Sequence, residues 1–212
     1  MAHIGLFPLG IVLFPAARYP LHIFEERYKT LVQRSIEGKV TIGINLVEEG
    51  KLYQLGCTAT VDRVLKTYDD GRMDIVVRGG ERYVIQRYFT DEEPYLTAEV
   101  DGVDDTEQLP SSSLLLETVA LYNQLVETVY DEGQFTLEAT EWLHGGGAFR
   151  MAQKVGMEAT LRQRLLEMRN EDERLTTLRD WIAQALPTVR TAKLRESLAR
   201  NDGYLSPEER ED

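Results

Sequence analysis

The chain contains 212 residues, of which 42% are hydrophobic, and this is enough to form a core in one large or two small domains. Lysine and arginine total 24 against 36 aspartates and glutamates, so the net charge is −12. Because an acidic surface repels phosphate backbones, we expect no nucleic-acid partner. The apolar runs are far shorter than the roughly 20 residues that span a bilayer, so we expect no membrane partner. The single cysteine, Cys57, excludes an internal disulfide and fits a cytoplasmic location.

Residues 1–38 predict extended segments joined by fixed bends, followed by one helix. Pro8, Pro15 and Pro20 remove backbone donors and push each preceding residue toward extended geometry, which excludes one regular element. Later in this stretch, apolar residues recur at intervals of three and four, which is the helical period, and a glycine then ends the helix. The residues expected on its buried face are Phe24, Tyr28, Leu31, Val32 and Ile36.

The segment that follows predicts a series of short strands. Apolar and polar residues alternate over 40–46, which is typical of a half-buried strand, and a shift in the apolar phase near Asp62 indicates a bulge. Two more extended segments, 83–89 and 94–100, complete the series. Many short strands with one helix favour a small closed or nearly closed β-structure.

Two glycine-containing pairs divide these strands. Asp70 followed by Gly71 is the strongest turn signal of the chain and predicts a hairpin. Gly79 followed by Gly80 is expected to break the strand after that hairpin.

The second half of the chain predicts helices. An acidic stretch without periodicity, 101–110, ends in a proline, and we place the linker there. The helical period then returns, and Pro187 is expected to stop the last well-patterned helix. The helices predicted after the linker span residues 115–129, 137–144, 149–155, 158–168 and 172–186.

The predicted fold class is therefore α+β. A β-rich pseudo-barrel subdomain with one helix, residues 1–105, precedes a C-terminal helical bundle, residues 106–200. Residues 201–212 are expected to form an acidic, flexible tail.

Ordered motifs at the start of the chain carry a family resemblance. Phe-Pro-Leu at 7–9, Val-Leu-Phe-Pro at 12–15 and Pro-Leu-His-Ile-Phe-Glu at 20–25 are followed by Arg27 and Tyr28. This run closely resembles the start of the N-terminal substrate-binding domain of Lon-type ATP-dependent proteases. We expect it to fix the fold of the domain rather than to form the binding site.

The resemblance extends along most of the chain, about residues 4–186. Glu26 stands where the family usually has proline, and a glutamate is favourable in a first helical turn. Gly-Gly-Glu-Arg-Tyr at 79–83 and Ala-Phe-Arg-Met-Ala at 148–152 resemble later parts of the same domain. The resemblance implies a β-rich part, a small helical bundle and a module that recognises polypeptide. Lon proteases continue into an ATPase and a Ser-Lys protease, and we expect a stand-alone form without these modules.

One loop suggests an alternative function as a hydrolase. His144 and the three glycines after it match the oxyanion-hole signature of some esterases. That type of enzyme also needs a serine in Gly-x-Ser-x-Gly, and no serine of this sequence lies in such a setting. We interpret the glycines as a helix stop, and keep a small esterase or peptidase that uses loop 144–147 as the alternative.

Cofactor and metal chemistry have little support in the sequence. Cys57 lies in a strand-like segment, so we expect an inert, packed thiol. His22, between two apolar residues, is expected to be a hydrogen-bonded structural residue. The histidines are scattered and no His-Glu-x-x-His occurs, so we expect no metal site and no cofactor.

A group of aromatic residues is the predicted binding surface. They fall at strand ends or near bends, where exposed apolar side chains often mark binding sites. The predicted peptide-binding residues are Tyr19, Tyr68, Tyr88, Phe89 and Tyr95.

The predicted function is a non-catalytic module that binds unfolded or extended polypeptide or a partner protein. Such a module uses unpaired strand edges or an apolar groove, and the net charge of −12 favours basic or hydrophobic peptides. An adaptor or regulatory role in protein quality control is the finer hypothesis. A third hypothesis is a structural protein that assembles through its helical bundle.

Overall fold

The computed structural model describes residues 1–130 and 133–201, with side chains up to residue 196. Its strands are β1 (Ala2–Leu9), β2 (Arg18–Ile23), β3 (Ile42–Glu48), β4 (Lys51–Leu52), β5 (Leu55–Thr67), β6 (Met73–Phe89) and β7 (Thr97–Gly102). Its helices are α1 (Glu26–Ile36), α2 (Ser112–Val129), a 3-10 helix (Ala139–Trp142), α3 (Gly147–Ala152), α4 (Ala159–Glu167) and α5 (Glu171–Asn201). The predicted α+β class is confirmed.

The strands form a closed β-structure. Their order is β1-β7-β6-β5-β3-β4, and a parallel pairing of β1 with β3 closes this path into a barrel. The remaining strand, β2, pairs with the first half of β6. The predicted hairpin joins β5 to β6, with Gly71 at a φ of 79° in the turn. The predicted bulge is also present, because the register of β5 on β6 shifts between Val61 and Arg63.

The chain divides into two compact units. The first contains Met1–Gln108 and Ala148–Glu171, and it therefore includes the barrel, α1 and α4. The second contains Leu109–Gly147 and the chain from Asp172 onward, with α2 and most of α5. The domain bounds predicted from the sequence stay a prediction, and apart from Asn201 the predicted tail lies outside the described residues.

The mainly apolar barrel core contains the polar pair Tyr83 and Asn45. Tyr83 donates its hydroxyl hydrogen bond to the side-chain oxygen of Asn45, and the Asn45 amide donates to the carbonyl of Tyr53 at 3.0 Å. Both side chains are therefore satisfied where water is excluded. Burial raises the pKa of the Tyr83 phenol well above its ordinary value. The apolar residues packed around Tyr83 are Ile4, Leu6, Ile85, Ala98 and Val100.

Gly79 and Gly80 do not break the strand, so this prediction is wrong. Strand β6 runs through both glycines. The backbone of the β1–β2 loop lies against Gly79, whose N–H donates to the Ala17 carbonyl at 2.8 Å. A Cβ at position 79 would lie 2.0 Å from the Phe14 carbonyl oxygen. Glycine is needed here for a close backbone approach, which a sequence pattern does not distinguish from a strand end.

Two helix predictions in the second unit are also wrong. Helix α5 continues through Pro187, so this proline does not stop it. Arg190 lies beyond the proline and donates to the Gln124 side chain at 2.9 Å, which ties this part of the helix to α2. Residues 137–144 form only the short 3-10 helix, because the backbone of Leu137 exchanges two hydrogen bonds with the side chain of Asn123. Those backbone groups are then not available for an α-helix.

No helix within residues 1–130 and 133–201 is long and apolar enough to cross a membrane.

We predict that Gly79→Ala lowers the free energy of unfolding by about 3 kcal/mol, because the added methyl group overlaps rigid backbone at Phe14. Urea unfolding monitored by circular dichroism measures this change. Gly102→Ala is the matched control, since no atom lies within 4 Å of a Cβ at that strand glycine. Equal midpoints for the two variants would contradict the prediction.

Candidate functional site

An apolar groove lies where the end of β1, strand β2 and the start of α1 meet. Its volume is about 250 Å³. The floor contains Phe7 and Tyr28, whose rings stack with their centroids 4.1 Å apart, and both side chains are buried. Burial raises the pKa of the Tyr28 phenol, so this ring stays neutral at physiological pH. The other residues that line the groove are Pro8, Leu9, Leu21, His22, Ile23, Phe24, Glu25 and Arg27.

Phe24 is the exposed apolar side chain among the residues that line this groove. It was predicted on the buried face of the first helix, and that prediction is wrong, because α1 begins two residues later and Phe24 is 61% exposed. A hydrophobic residue just before an N-cap usually packs on the fourth helical residue. Here the N-cap is Glu25 and the fourth residue is Lys29, which offers no apolar partner. Once the structure places the N-cap at Glu25, the lack of an apolar residue at position 29 accounts for the exposure of Phe24.

Hydrogen bonds around Asp74 hold the rim of the groove. The carboxylate of Asp74 lies 2.6 Å from Nδ1 of His22 and accepts a hydrogen bond of 2.8 Å from the Tyr68 hydroxyl. The His22 ring in turn stacks with Phe24 at 6.1 Å and meets the edge of Tyr68 at 5.9 Å. Hydrogen bonds from His22 and then Tyr68 lower the pKa of Asp74. His22 is therefore a hydrogen-bonded residue, as predicted, and it also orients the rim.

The charged side chains at the rim are paired with one another. Arg27 lies 2.7 Å from Glu25 and covers the Tyr28 ring at 4.6 Å. Lys29 lies 2.7 Å from Glu26. Because these charges neutralise each other locally, the groove presents an apolar surface on a protein of net charge −12.

The aromatic residues predicted to bind peptide lie in different places. Tyr68 joins the groove rim through His22, and Tyr19 is half-buried on β2. Tyr88, 52% exposed, and the half-buried Phe89 lie at the opposite end of β6 from Tyr68. Tyr95 is only 3% exposed, and it packs so closely on Gly5 that a Cβ there would lie 2.9 Å from its ring. Tyr95 therefore supports the core and offers little surface to a ligand.

One backbone N–H group of loop 144–147, that of Gly145, and the N–H of Ala148 just after the loop are already engaged. The N–H of Gly145 donates to the Trp142 carbonyl at 3.0 Å. The N–H of Ala148 donates to the carboxylate of Glu171 at 3.0 Å. A carboxylate at this position would repel an oxyanion, so the arrangement is unlike an oxyanion hole.

Cys57 is buried in β5, and burial raises the pKa of its thiol to about 12. At this pKa the thiolate is not formed at neutral pH, and the thiol is a poor nucleophile. Within the described part of the chain, no group of three histidine, cysteine, aspartate or glutamate side chains could hold a metal ion.

Comparison with known protein families gives one match that covers most of the chain. Residues 3–193 match the ATP-dependent protease La (LON) substrate-binding domain. A curated relative, Lon protease 2 from Herpetosiphon aurantiacus, is 25% identical in an alignment of 193 residues that covers 85% of this chain and 23% of the relative. The chain thus spans about a quarter of the length of that relative.

Two solved structures share the fold. The Lon N-terminal domain protein from Xanthomonas campestris has a TM-score of 0.67 at 23% identity, covering 85% of this chain and 99% of that one. The N-terminal domain of a Mycobacterium avium complex Lon protease has a TM-score of 0.71 at 18% identity, covering 86% and 98%. At these identities the likeness concerns the fold alone.

We predict that Asp74→Asn lowers the melting temperature at neutral pH, because the amide replaces a charged acceptor for His22 and Tyr68. The pKa of Asp74 is lowered from its ordinary 3.8, so its contribution is complete above that pH and is lost as the pH falls through the folded-state pKa. The difference from wild type should therefore persist from pH 7 to about pH 4 and shrink in stronger acid.

Thermal unfolding at a series of pH values measures this difference. Asp69→Asn, at an exposed aspartate of the same hairpin, is the control and should match wild type throughout. A difference between Asp74→Asn and wild type that stays constant down to pH 2 would contradict the assignment to the Asp74 carboxylate.

Proposed function

Because the chain belongs to the family of ATP-dependent protease La (LON) substrate-binding domains, we propose that it binds extended, apolar segments of polypeptide without acting on them chemically. The family resemblance of its opening motifs is confirmed by the match. The observation that carries the proposal is Phe24, a large apolar side chain that stands 61% exposed at the rim of an apolar groove. Exposed apolar surface next to a groove is typical of a binding site.

The size of the groove favours a side chain of a longer ligand. At about 250 Å³ it is smaller than the roughly 300–1,000 Å³ pockets that enclose whole small molecules. Burying one leucine or phenylalanine side chain there contributes about 1.5–3 kcal/mol. A ligand with several such residues along an extended chain gains affinity from repeated contacts.

The edge of β2 favours an extended ligand. Strand β2 pairs with β6, and no other described strand pairs with it. An unpaired edge can accept main-chain hydrogen bonds from an added peptide strand. Pro20 lies within β2 and lacks an N–H group, which limits uncontrolled strand addition. Leu21 and His22 line the groove, so a peptide on this edge would lie next to it.

The aromatic residues that the sequence predicts to bind peptide remain part of the proposal. Tyr68 adjoins Phe24 through His22, and Tyr19 lies on the same strand as His22. Tyr88 and Phe89 define a second exposed patch at the far end of β6, and Tyr95 supports the fold. We place the principal contact at Phe24 and Tyr68.

The proposal extends to partners and cellular role. It includes an adaptor or regulatory function in protein quality control, which the family match supports, and a cytoplasmic location, which one unpaired cysteine supports. The net charge of −12 supports a polypeptide rather than a nucleic-acid ligand. The engaged N–H groups at Gly145 and Ala148 and the protonated thiol of Cys57 support a non-catalytic module.

We predict that Phe24→Ala weakens the binding of a fluorescein-labelled decapeptide rich in leucine and phenylalanine at least about tenfold, because it removes the exposed anchor of the groove. Fluorescence anisotropy measures the affinity. The melting temperature should change little, since the Phe24 side chain is mostly exposed.

Two variants control this measurement. Leu116→Ala removes an apolar side chain of α2 that is 58% exposed, and it should bind the decapeptide as wild type does. Tyr88→Ala tests the second patch. Loss of binding in Tyr88→Ala together with wild-type binding in Phe24→Ala would move the site to the far end of β6.

A further inference from the structure

Strand β2, the first half of β6 and the second half of β5 form a three-stranded sheet with one exposed face. Strand β6 pairs with β2 and with β5 over the same stretch, residues 73–78. Side chains of residues directly opposite each other on neighbouring strands lie on the same face. The register therefore places three cross-strand rows on one face, which we call the outer face. The rows are Arg18, Arg78 and Thr60, then Pro20, Val76 and Arg63, and then His22, Asp74 and Lys66.

The outer face is open to solvent and rich in cations. All of its side chains are exposed except Val76, which is buried, and Asp74, which is half-buried. The lysine and arginine side chains of this face, all of them exposed, are Arg18, Arg63, Lys66 and Arg78.

The three rows and the bulge beside them carry two carboxylates for these four cations, which leaves an excess of two positive charges. Asp62 is the bulged residue of β5, and its carboxylate lies 3.1 Å from Nε of Arg18 and 3.8 Å from Nε of Arg63. One carboxylate is therefore shared between two arginines. The other belongs to Asp74, and it already accepts a hydrogen bond from Tyr68.

Arg78 is the cation of this face that lacks a carboxylate partner. It lies directly opposite Arg18 on β2, and like charges in such a pair repel each other. Asp62 compensates Arg18, but no carboxylate within residues 1–130 and 133–196 forms an ion pair with Arg78. Because the Arg78 side chain is exposed, its N–H donors are accessible to a ligand in solution.

The local charge of the outer face is opposite in sign to the net charge of the protein. The net charge of −12 by itself predicts that acidic ligands are repelled. At physiological ionic strength, however, exposed charges more than about 8–10 Å apart are largely screened from each other. Neighbouring strands are about 4.8 Å apart and alternate residues of a strand about 7 Å apart, so the cations of the outer face act together within that range. A ligand on this face therefore meets a positive surface.

We propose that the outer face binds an acidic segment of an extended polypeptide, with one carboxylate on Arg78 and a second on Arg63. These arginines belong to successive rows, which are about 7 Å apart. The same spacing separates alternate side chains of an extended chain, so acidic residues at alternate positions match the two rows. This surface goes beyond the proposed function, because it requires no apolar side chain in the groove.

The test uses three labelled dodecapeptides without apolar residues, in which serine alternates with glutamate, glutamine or lysine. Fluorescence anisotropy measures their affinity for the full chain. Wild type should bind the glutamate peptide at least about tenfold more tightly than the other two, and this affinity should fall as sodium chloride is added. A labelled thymidine oligonucleotide of the same length represents the other class of polyanion and should bind no better than the glutamine peptide.

Three variants locate the effect. Arg78→Gln and Arg63→Gln each remove one proposed contact, so each should weaken binding of the glutamate peptide about fivefold. Arg87→Gln is the matched control, because it removes the same charge from an exposed arginine of β6 that pairs with Glu99 at 3.2 Å. It should bind the glutamate peptide as wild type does. Since Arg78 faces Arg18, Arg78→Gln should melt no lower than wild type.

Defined outcomes overturn the inference. Equal binding of the glutamate and glutamine peptides by wild type overturns it while the proposed function stands. Unchanged binding in Arg78→Gln overturns it, and so does an equal loss in Arg78→Gln and Arg87→Gln, because net charge alone would then explain the effect. Binding of the oligonucleotide as tight as that of the glutamate peptide overturns the assignment to polypeptide. Should Arg78→Gln fail to fold, the peptide comparison in wild type and in Arg63→Gln still decides the matter.

Discussion

The first unit depends on one buried cation, Arg82 of β6. Burying a guanidinium is costly unless its donors are satisfied, and here they meet the carbonyls of Leu166 and Met168 and the carboxylate of Asp105. Leu166 and Met168 lie at the end of α4, where carbonyls lack helical partners and a positive charge is favourable. The same contacts fix α4 on the barrel and thereby place Arg162 over Phe14.

The opening segment serves both the fold and the candidate site. Strands β1 and β2 each contain one of its prolines, Pro8 and Pro20, and the loop between them packs on Gly79 of β6. The segment ends in Phe24, just before α1. The surface proposed to bind polypeptide combines a small apolar groove, locally paired charges and an edge of β2 that no other described strand pairs with.

Sequence patterns succeeded where local chemistry decides the structure. Asp70-Gly71 produced the hairpin because a glycine accepts the positive φ that this turn requires. Alternation predicted the strands, and the phase shift near Asp62 located the bulge. Sequence patterns failed where a contact between residues far apart in the chain decides the local structure. Gly79 allows the approach of Phe14, and Asn123 takes the backbone bonds of Leu137. Phe24 has the spacing of a buried helical residue but lies outside the helix.

The sequence by itself determined the fold class, the family and the absence of catalytic motifs, because these depend on periodicity, turn residues and ordered motifs that are local in the chain. Only the tertiary structure decided which aromatic side chains are exposed, that Tyr68 meets Phe24 through His22, and that Arg82 pairs with Asp105 while Nε of Arg162 has no hydrogen-bond partner among the described residues. Exposure and charge compensation are set by residues far apart in sequence, since burial depends on packing between elements rather than on the character of one side chain.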